Sequence, residues 1–151
     1  MPKPHLKKRK SKINENFSDN DLLMLIAIII NQNPKYQNLQ KGVWIWNRTD
    51  KRFVCSAGFR DLMGIGVLAI PDLDFWFDKL APDDFIIFTE TLDGVIQDSQ
   101  PHNCIFKITS QDSEKRIIQC FMESMASSHC RNYIIGVFYD ISERIFSECR
   151  N

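Results

Sequence analysis

The chain has 151 residues, of which 44% are hydrophobic and 25% charged, and its formal net charge is zero. A chain of this size can bury one core without disulfides or a structural metal. Six lysines and arginines, with no acidic residue among them, lie in the first twelve residues. The rest of the chain carries 13 basic and 19 acidic residues, a net charge of −6, which argues against a general nucleic-acid binder.

Residues 1–17 are polar and basic, and they predict a disordered tail. Such a tail could attach the chain to anionic lipid or nucleic acid through residues 1–12, although a solvated tail is the simpler interpretation. An apolar run at residues 22–30 follows. As a helix, its nine residues would span about 14 Å, whereas the hydrocarbon core of a bilayer is about 30 Å thick, so the run is too short to cross a membrane. The five cysteines form no Cys-x-x-Cys pair and no secretory signal is evident, so we expect a reduced, cytoplasmic setting.

A helix is predicted from Ser18 to about Asn33, because "SDND" resembles a capping box and Pro34 ends the helix. Residues 22–30 are apolar on every side, whereas a helix on a single core shows an apolar stripe. We therefore expect a homodimer in which the second side of the helix meets another copy, with a single core surrounding the helix as the alternative. The predicted interface consists of Leu22, Leu23, Leu25, Ile26, Ile29 and Ile30.

The next segments predict a hairpin and three helices. "VWIWN" and "FVCS" read as strands around a polar turn, which gives a hairpin over residues 43–56. "AGFRDLMG" predicts a short helix that ends at Gly64, and "LDFWFDKL" predicts another at residues 73–80. Pro82 is placed to begin a long helix, with acidic residues in its first turn and an apolar face through Phe88 and Leu92.

The last third predicts three strands, "NCIFKITS", "RIIQCFMESM" and "YIIGVFYDI", joined by polar turns as a meander. A two-stranded hairpin is marginal alone, so the first hairpin should join the same sheet. The fold class is therefore α+β: a five-stranded antiparallel sheet with helices on one face, preceded by an N-terminal capping helix.

This order and three motifs resemble the PAS domain, a sensory module. "GVWIWNRTDKRFVCSAGFRDLMGI" is similar to the opening strands and first helix of the family branch with a tryptophan-rich first strand. "FWFDKLAPDD" resembles the start of that branch's long helix, and "GVFYDISER" resembles the closing Asp-Ile-Thr-Glu-Arg signature. The usual Asp-Gly turn before the fourth strand is replaced by residues 111–113, and the usual histidine before Pro82 by Ala81.

The resemblance implies a domain at residues 41–142, after the tail at 1–17 and a helix and linker at 18–40, with 143–151 starting a C-terminal linker helix. It also implies that Asp140, Glu143 and Arg144 form the junction that passes a signal to a downstream kinase, cyclase or DNA-binding domain, or to a partner protein. Independently, Asp140 can accept backbone N–H groups at a helix start, and Arg144 can pair with it at i+4. The simpler interpretation of this junction is a helix cap without a signalling role.

Catalytic and cofactor signals are weak. The histidine–cysteine pairs lack zinc-site spacing, and His102 and His129 are interpreted as turn residues. Four aspartates on or near the long helix read as first-turn and solvent-face charges, so we expect no enzyme and no metal site. Against the resemblance, residues 82–98 lack a haem-ligating histidine, and "LDFWFDKL" lacks the cysteine of a light-oxygen-voltage flavin site. Neither haem nor flavin is expected, and no photoactive-yellow-protein chromophore.

A small-molecule cavity between sheet and helices stays open as an alternative to a filled core. Strand alternation places its candidate lining on one face of the sheet. The candidates are Trp44, Trp46, Phe88, Leu92, Cys104, Phe106, Cys120 and Phe138. The predicted function is a sensory or regulatory module in signal transduction, such as two-component, cyclic-di-GMP or transcriptional control, acting through homodimerisation. A metabolite sensor and a tail-attached module are the alternatives.

Overall fold

A computed structural model describes residues 18–49, 51–65, 77–109, 113–125 and 132–145. Several sequence predictions fall outside these ranges. They are the disordered tail at 1–17, the first half of the predicted helix at 73–80, the centres of the polar turns at 110–112 and 126–131, the turn assignment of His129, and residues 146–151 of the C-terminal linker.

Five strands form one antiparallel sheet, as predicted. They are β1 (Lys41–Asn47), β2 (Arg52–Cys55), β3 (His102–Thr109), β4 (Lys115–Ser124) and β5 (Tyr133–Asp140), in the spatial order β2-β1-β5-β4-β3. β1 pairs with β2 on one side and with β5 on the other. The first hairpin therefore joins the C-terminal meander through contact between the first and the last strand.

Among the described residues, three longer helices lie around this sheet: α1 (Asp19–Asn31), α2 (Ala57–Met63) and α3 (Pro82–Asp98). Ser18 and Asp21 form the predicted capping box at α1. Gly64 ends α2 in the left-handed conformation, with φ 67°, a region in which glycine is favoured. α1 ends at Asn31, two residues earlier than predicted, and Pro34–Tyr36 then forms a 3-10 turn.

The two faces of the sheet bury separate hydrophobic cores. We call the side chains between the sheet and helices α2 and α3 the inner core, and those between the sheet and α1 the outer core. The inner core includes Trp44, Phe53, Phe59, Phe88, Val95, Phe106, Ile118 and Phe138. The outer core consists of Leu22, Leu23, Ile26, Tyr36, Val43, Ile45, Val137, Tyr139 and Ile141. Alternation along β1 explains the division, since Trp44 faces inward while Val43 and Ile45 face outward.

Gly136 on β5 lets the Trp44 ring lie directly on the strand. A β-carbon at Gly136 would be 1.9 Å from Cε2 and 2.1 Å from Cζ2 of Trp44, so no larger residue fits unless the indole moves. Trp44 and Gly136 are also directly paired between β1 and β5. The largest side chain of the inner core is therefore accommodated by the absence of one on the neighbouring strand.

Candidate functional site

The structure brings the eight predicted cavity residues together on the inner face. Six of them belong to the buried inner core, and Trp46 and Cys104 are partly buried against it. Trp44 and Trp46 project from β1, and Phe88 and Leu92 reach the same core from α3. The strand alternation and the helical spacing seen in the sequence therefore locate this group of side chains, while a role in ligand binding stays a prediction.

Aromatic rings pack closely in the middle of this group. The Phe88 ring centroid lies 6.1 Å from that of Trp44 and 5.7 Å from that of Phe106. The Phe106 and Phe138 centroids are 5.4 Å apart with their planes at 75°, an edge-to-face arrangement that aromatic pairs favour. The indole Nε1 of Trp44 is buried and finds no hydrogen-bond partner among the residues that the structure describes. A buried donor without a partner carries a desolvation cost, so this nitrogen is the polar feature of an otherwise apolar core.

Two cysteines face each other within the same core. Cys104 on β3 is directly opposite Cys120 on β4. Burial, and next the hydrogen bond with Cys104, raise the pKa of the Cys120 thiol well above its ordinary value. The pKa of Cys104 is lowered, chiefly by a hydrogen bond from Cys120, against a smaller opposing effect of burial. The two thiols are therefore unequal, and Cys104 loses its proton first.

The predicted junction lies at the other end of β5, and its centre is Asp140. One carboxylate oxygen, Oδ1, accepts the backbone N–H of Ser142 at 3.0 Å, which supports the predicted role at a helix start. The other, Oδ2, accepts a hydrogen bond from Nη1 of Arg116 at 2.9 Å. The side chains of this pair are only 16% and 14% exposed, so the ion pair is largely shielded from water.

Arg144 does not form the i+4 pair with Asp140 that the sequence suggested. Its guanidinium instead donates to the backbone carbonyl of Lys35 at 2.6 Å, in the segment between α1 and β1. Asp140 is engaged by Arg116, which lies 24 residues earlier on β4. Residues 142–145 are helical, Glu143 is exposed, and the hydroxyl of Ser142 accepts the backbone N–H of Ile117 at 2.8 Å.

Arg116 connects the junction to the α1–β1 linker. Its Nη1 atom also donates to the side-chain carbonyl of Gln40 at 3.1 Å, and its Nη2 atom lies 3.2 Å from the carboxylate of Glu114. The backbone N–H of Asp140 donates to the carbonyl of Gln40 at 2.9 Å. A surface cavity of about 430 Å³ opens beside these groups, with Asn38, Leu39, Lys115, Ser142 and Glu143 completing its lining.

The six predicted interface residues on α1 fall on two sides of the helix. Leu22, Leu23 and Ile26 are buried in the outer core, and Ile30 is partly buried against it. Leu25 and Ile29 point away from the sheet and are 46% and 58% exposed. Met24 and Ile28, which were not among the predicted interface residues, are also exposed, at 65% and 55%. We call Met24, Leu25, Ile28 and Ile29 the open face of α1.

The assembled fold resembles solved structures of sensory domains. An RNA-binding light-oxygen-voltage receptor superposes with a TM-score of 0.62 and 18% identity, over 74% of this chain and 34% of the receptor chain. A sensory box histidine kinase/response regulator from Burkholderia thailandensis gives a TM-score of 0.60 and 19% identity, over 74% of this chain and 84% of that one. The N-terminal domain of a diguanylate cyclase with PAS/PAC sensor from Marinobacter aquaeolei gives a TM-score of 0.60 and 15% identity, over 70% of this chain and 98% of that one.

The chain has a PAS fold. The sequence itself matches no protein-family model and no curated protein, so the three-dimensional arrangement carries this conclusion. The matched part of this chain spans only about a third of the light-oxygen-voltage receptor chain. Within the described ranges, none of the helices combines the length and the apolar content needed to cross a bilayer.

Some residues of the site could not be found from the sequence. Arg116 and Gln40 are separated by 76 positions, and only the sheet brings them together. Asp84, which was interpreted as a first-turn charge on α3, also accepts the backbone N–H of Lys107 on the edge strand β3 at 3.1 Å. His102 opens β3, and its Nε2 lies 2.8 Å from the Asp98 carboxylate. In the ranges that the structure describes, no three or more histidine, cysteine and acidic side chains cluster as metal ligands.

Proposed function

We propose that this chain is a sensory or regulatory PAS module of signal transduction that acts through homodimerisation and protein–protein contacts rather than catalysis. Two proteins with the same fold are named as a sensory box histidine kinase and as a diguanylate cyclase with a PAS/PAC sensor, which supports a sensor coupled to a downstream effector. The open face of α1 is the observation that carries the proposal. An effector domain or partner would receive the signal through the Asp140 junction.

The open face of α1 is suited to association between copies. Its four large apolar side chains are 46–65% exposed and lie at consecutive turns of one helix. Contiguous apolar patches on a small domain mark interaction sites, whereas single exposed apolar residues need no explanation. The opposite side of α1 is anchored in the outer core, so the patch is held in a fixed position on the PAS domain.

The variant Leu25→Glu/Ile29→Glu tests this dimer. Both side chains are already exposed, so the charges should leave the folded domain intact and separate the copies because burying them in an interface is costly. We expect light scattering at tens of micromolar to give a dimer for the wild type and a monomer for the variant. Ile86→Glu, on the exposed side of α3, is the matched control and should stay dimeric. A monomeric wild type, or a dimer that survives the double substitution, contradicts the proposal.

A metabolite-gated sensor is the second candidate, and the Trp44 Nε1 donor favours it. A ligand that brings one hydrogen-bond acceptor into the inner core would satisfy this buried group and stabilise the folded state. Native mass spectrometry should detect a co-purifying small molecule, and thermal-shift screening should detect one that raises the Tm. A protein that is consistently ligand-free and that no compound stabilises would leave the unliganded dimer module as the function.

A further inference from the structure

Cys104 and Cys120 are placed where a disulfide can form without a change in strand register. They are directly paired between the antiparallel strands β3 and β4. Opposed residues in such strands have Cα atoms about 4.5–5.5 Å apart, and disulfides span Cα distances of about 4.4–6.8 Å. Their Cβ atoms start about 4.5–5.5 Å apart and must approach to about 3.5–4.5 Å, so closing the bond draws the two strands together locally.

The two cysteines differ in access to solvent. Cys120 is fully buried in the inner core, between two strands of the sheet. Cys104 is only partly buried and lies on β3, which is the edge strand of the sheet. A small reagent in solution therefore reaches the Cys104 sulfur first, and Cys120 can react only with a group already placed on Cys104.

The acidities of the two thiols favour the same order of reaction as their access to solvent. The lowered pKa of Cys104 and the raised pKa of Cys120 both follow from the hydrogen bond between them, together with the burial of Cys120. Since the thiolate is the nucleophile, Cys104 is the more reactive member of the pair. Thr91 on α3 also contacts Cys104, but its hydroxyl hydrogen is given to the Ile87 carbonyl at 2.8 Å.

We propose that Cys104 and Cys120 form a reversible oxidation site whose substrate is a small hydroperoxide. The Cys104 thiolate attacks one peroxide oxygen, the O–O bond breaks, and the other oxygen takes up the proton that the Cys104 thiol released and leaves as water or an alcohol. Cys104 is thereby oxidised to a sulfenic acid by two electrons, and the peroxide is reduced. The Cys120 sulfur then attacks the Cys104 sulfur, the S–O bond breaks, and the hydroxyl leaves with the Cys120 proton as water. Two equivalents of an external thiol, or one dithiol, then restore both cysteines by two successive exchanges and leave as an oxidised disulfide.

This site goes beyond the proposed dimer module, because oxidation of the two cysteines would act on the inner core and does not involve the open face of α1. The new bond would cross-link β3 to β4 under α3, the helix that supplies Thr91, Leu92 and Phe88 to the same core. Oxidation would therefore alter the packing of α3 on the sheet. The bond forms or fails to form in a single chain, so its test and the test of the dimer can fail independently.

The experiment treats the full chain with hydrogen peroxide and maps its tryptic peptides by mass spectrometry. Trypsin cuts after Lys107 and Arg116, so Cys104 and Cys120 fall on separate peptides. The peptide after Arg116 also carries Cys130, so the mapping is done in a Cys130→Ser background. We expect a Cys104–Cys120 linked pair that dithiothreitol removes, with Cys55→Ser as the matched control that retains it.

Two further variants test the order of the steps. Cys120→Ala should lose the linked pair and accumulate a sulfenic acid on Cys104 that a dimedone reagent traps. Cys104→Ala should leave the buried Cys120 as a free thiol. Unmodified Cys104 and Cys120 in the folded Cys130→Ser protein, or peroxide oxidation confined to Cys55 and Cys149, overturns the proposal. Since both cysteines of the pair are intact in that background, the result does not depend on the folding of Cys104→Ala or Cys120→Ala.

Discussion

The two faces of the sheet are built differently. The inner face is covered by two helices, and its core is dominated by aromatic rings fitted around Gly136 and Trp44. In the described ranges the outer face is covered by α1, whose Met24, Leu25, Ile28 and Ile29 stay exposed. The outer core also borders the polar junction, since Ile141 belongs to it and follows Asp140 directly. The largest aromatic side chains are thus buried on the inner face, while exposed apolar side chains lie on α1 and, as Phe85, Ile86 and Ile87, on α3.

Phe88→Ala should produce the largest effect, because it empties the centre of the inner core. Phe88 is fully buried and its ring meets Trp44, Phe106 and Phe138. We expect a loss of about 3–5 kcal/mol in the free energy of unfolding, measured by urea denaturation. Ile86→Ala on the exposed side of the same helix is the control and should change stability by less than about 0.5 kcal/mol. Equal losses in the two variants would contradict the packed inner core.

Ile26→Ala should cost less, because the outer core is covered from one side only. Ile26 is buried against the sheet, and its removal should lower the free energy of unfolding by about 2 kcal/mol, the lower end of the range for such truncations. Ile28→Ala, on the open face two residues away, should leave the stability of the monomer unchanged. A larger loss for Ile28 than for Ile26, measured on the monomeric Leu25→Glu/Ile29→Glu background, would reverse the assigned sides of α1.

Asp140→Asn should destabilise the junction by about 1–3 kcal/mol, since it removes the shielded carboxylate that pairs with Arg116 and leaves only the more exposed carboxylate of Glu114. The asparagine keeps a carbonyl oxygen that can still accept from Ser142, so the loss reports the ion pair. Glu114→Gln removes the more exposed partner of Arg116 and should cost less than about 1 kcal/mol. Thermal unfolding measures both. A larger loss of stability for Glu114→Gln than for Asp140→Asn would contradict the assignment of Asp140 as the main partner of Arg116.

Asp98→Asn should give the smallest effect, seen only in the pH dependence of the Tm. The backbone N–H of Gln100, and next the His102 side chain, lower the pKa of Asp98 in the folded chain. A lowered folded pKa contributes stability above the unfolded pKa, and this contribution is lost as the pH falls through the folded value. The wild-type Tm should therefore drop more steeply than that of the variant in this acidic window. Parallel curves would show that these hydrogen bonds add nothing to stability.

Much of the inner face could be predicted from the sequence, because strand alternation and helical spacing are periodic patterns that can be read within a single element. Alternation along β1 placed Trp44 and Trp46 on one face, and helical spacing placed Phe88 and Leu92 opposite them. The caps at Ser18 and Gly64 were predicted for the same reason, since each is a local signal. The antiparallel meander followed from polar turns between apolar runs.

The outer face was harder to predict. The all-round apolar run at 22–30 could not reveal which side of α1 meets the sheet, because strand and helix patterns specify faces within an element and not its partner. The pairing of Asp140 with Arg116 depends on the β4–β5 register, and the nearer Arg144 was the reasonable partner by spacing alone. The opposition of Cys104 and Cys120 likewise required the β3–β4 register.

The antiparallel pairing of β1 with β5 has a consequence for how this domain can be combined with others. The chain enters the sheet at Lys41, paired with Tyr139, and leaves it one residue later at Asp140. The points where the polypeptide comes in and goes out are thus neighbours, and Arg144 bonded to Lys35 keeps them together. Because its two ends lie close together, a domain of this kind can be inserted into a surface loop of another protein, or repeated in series, with little change to the geometry of the surrounding chain.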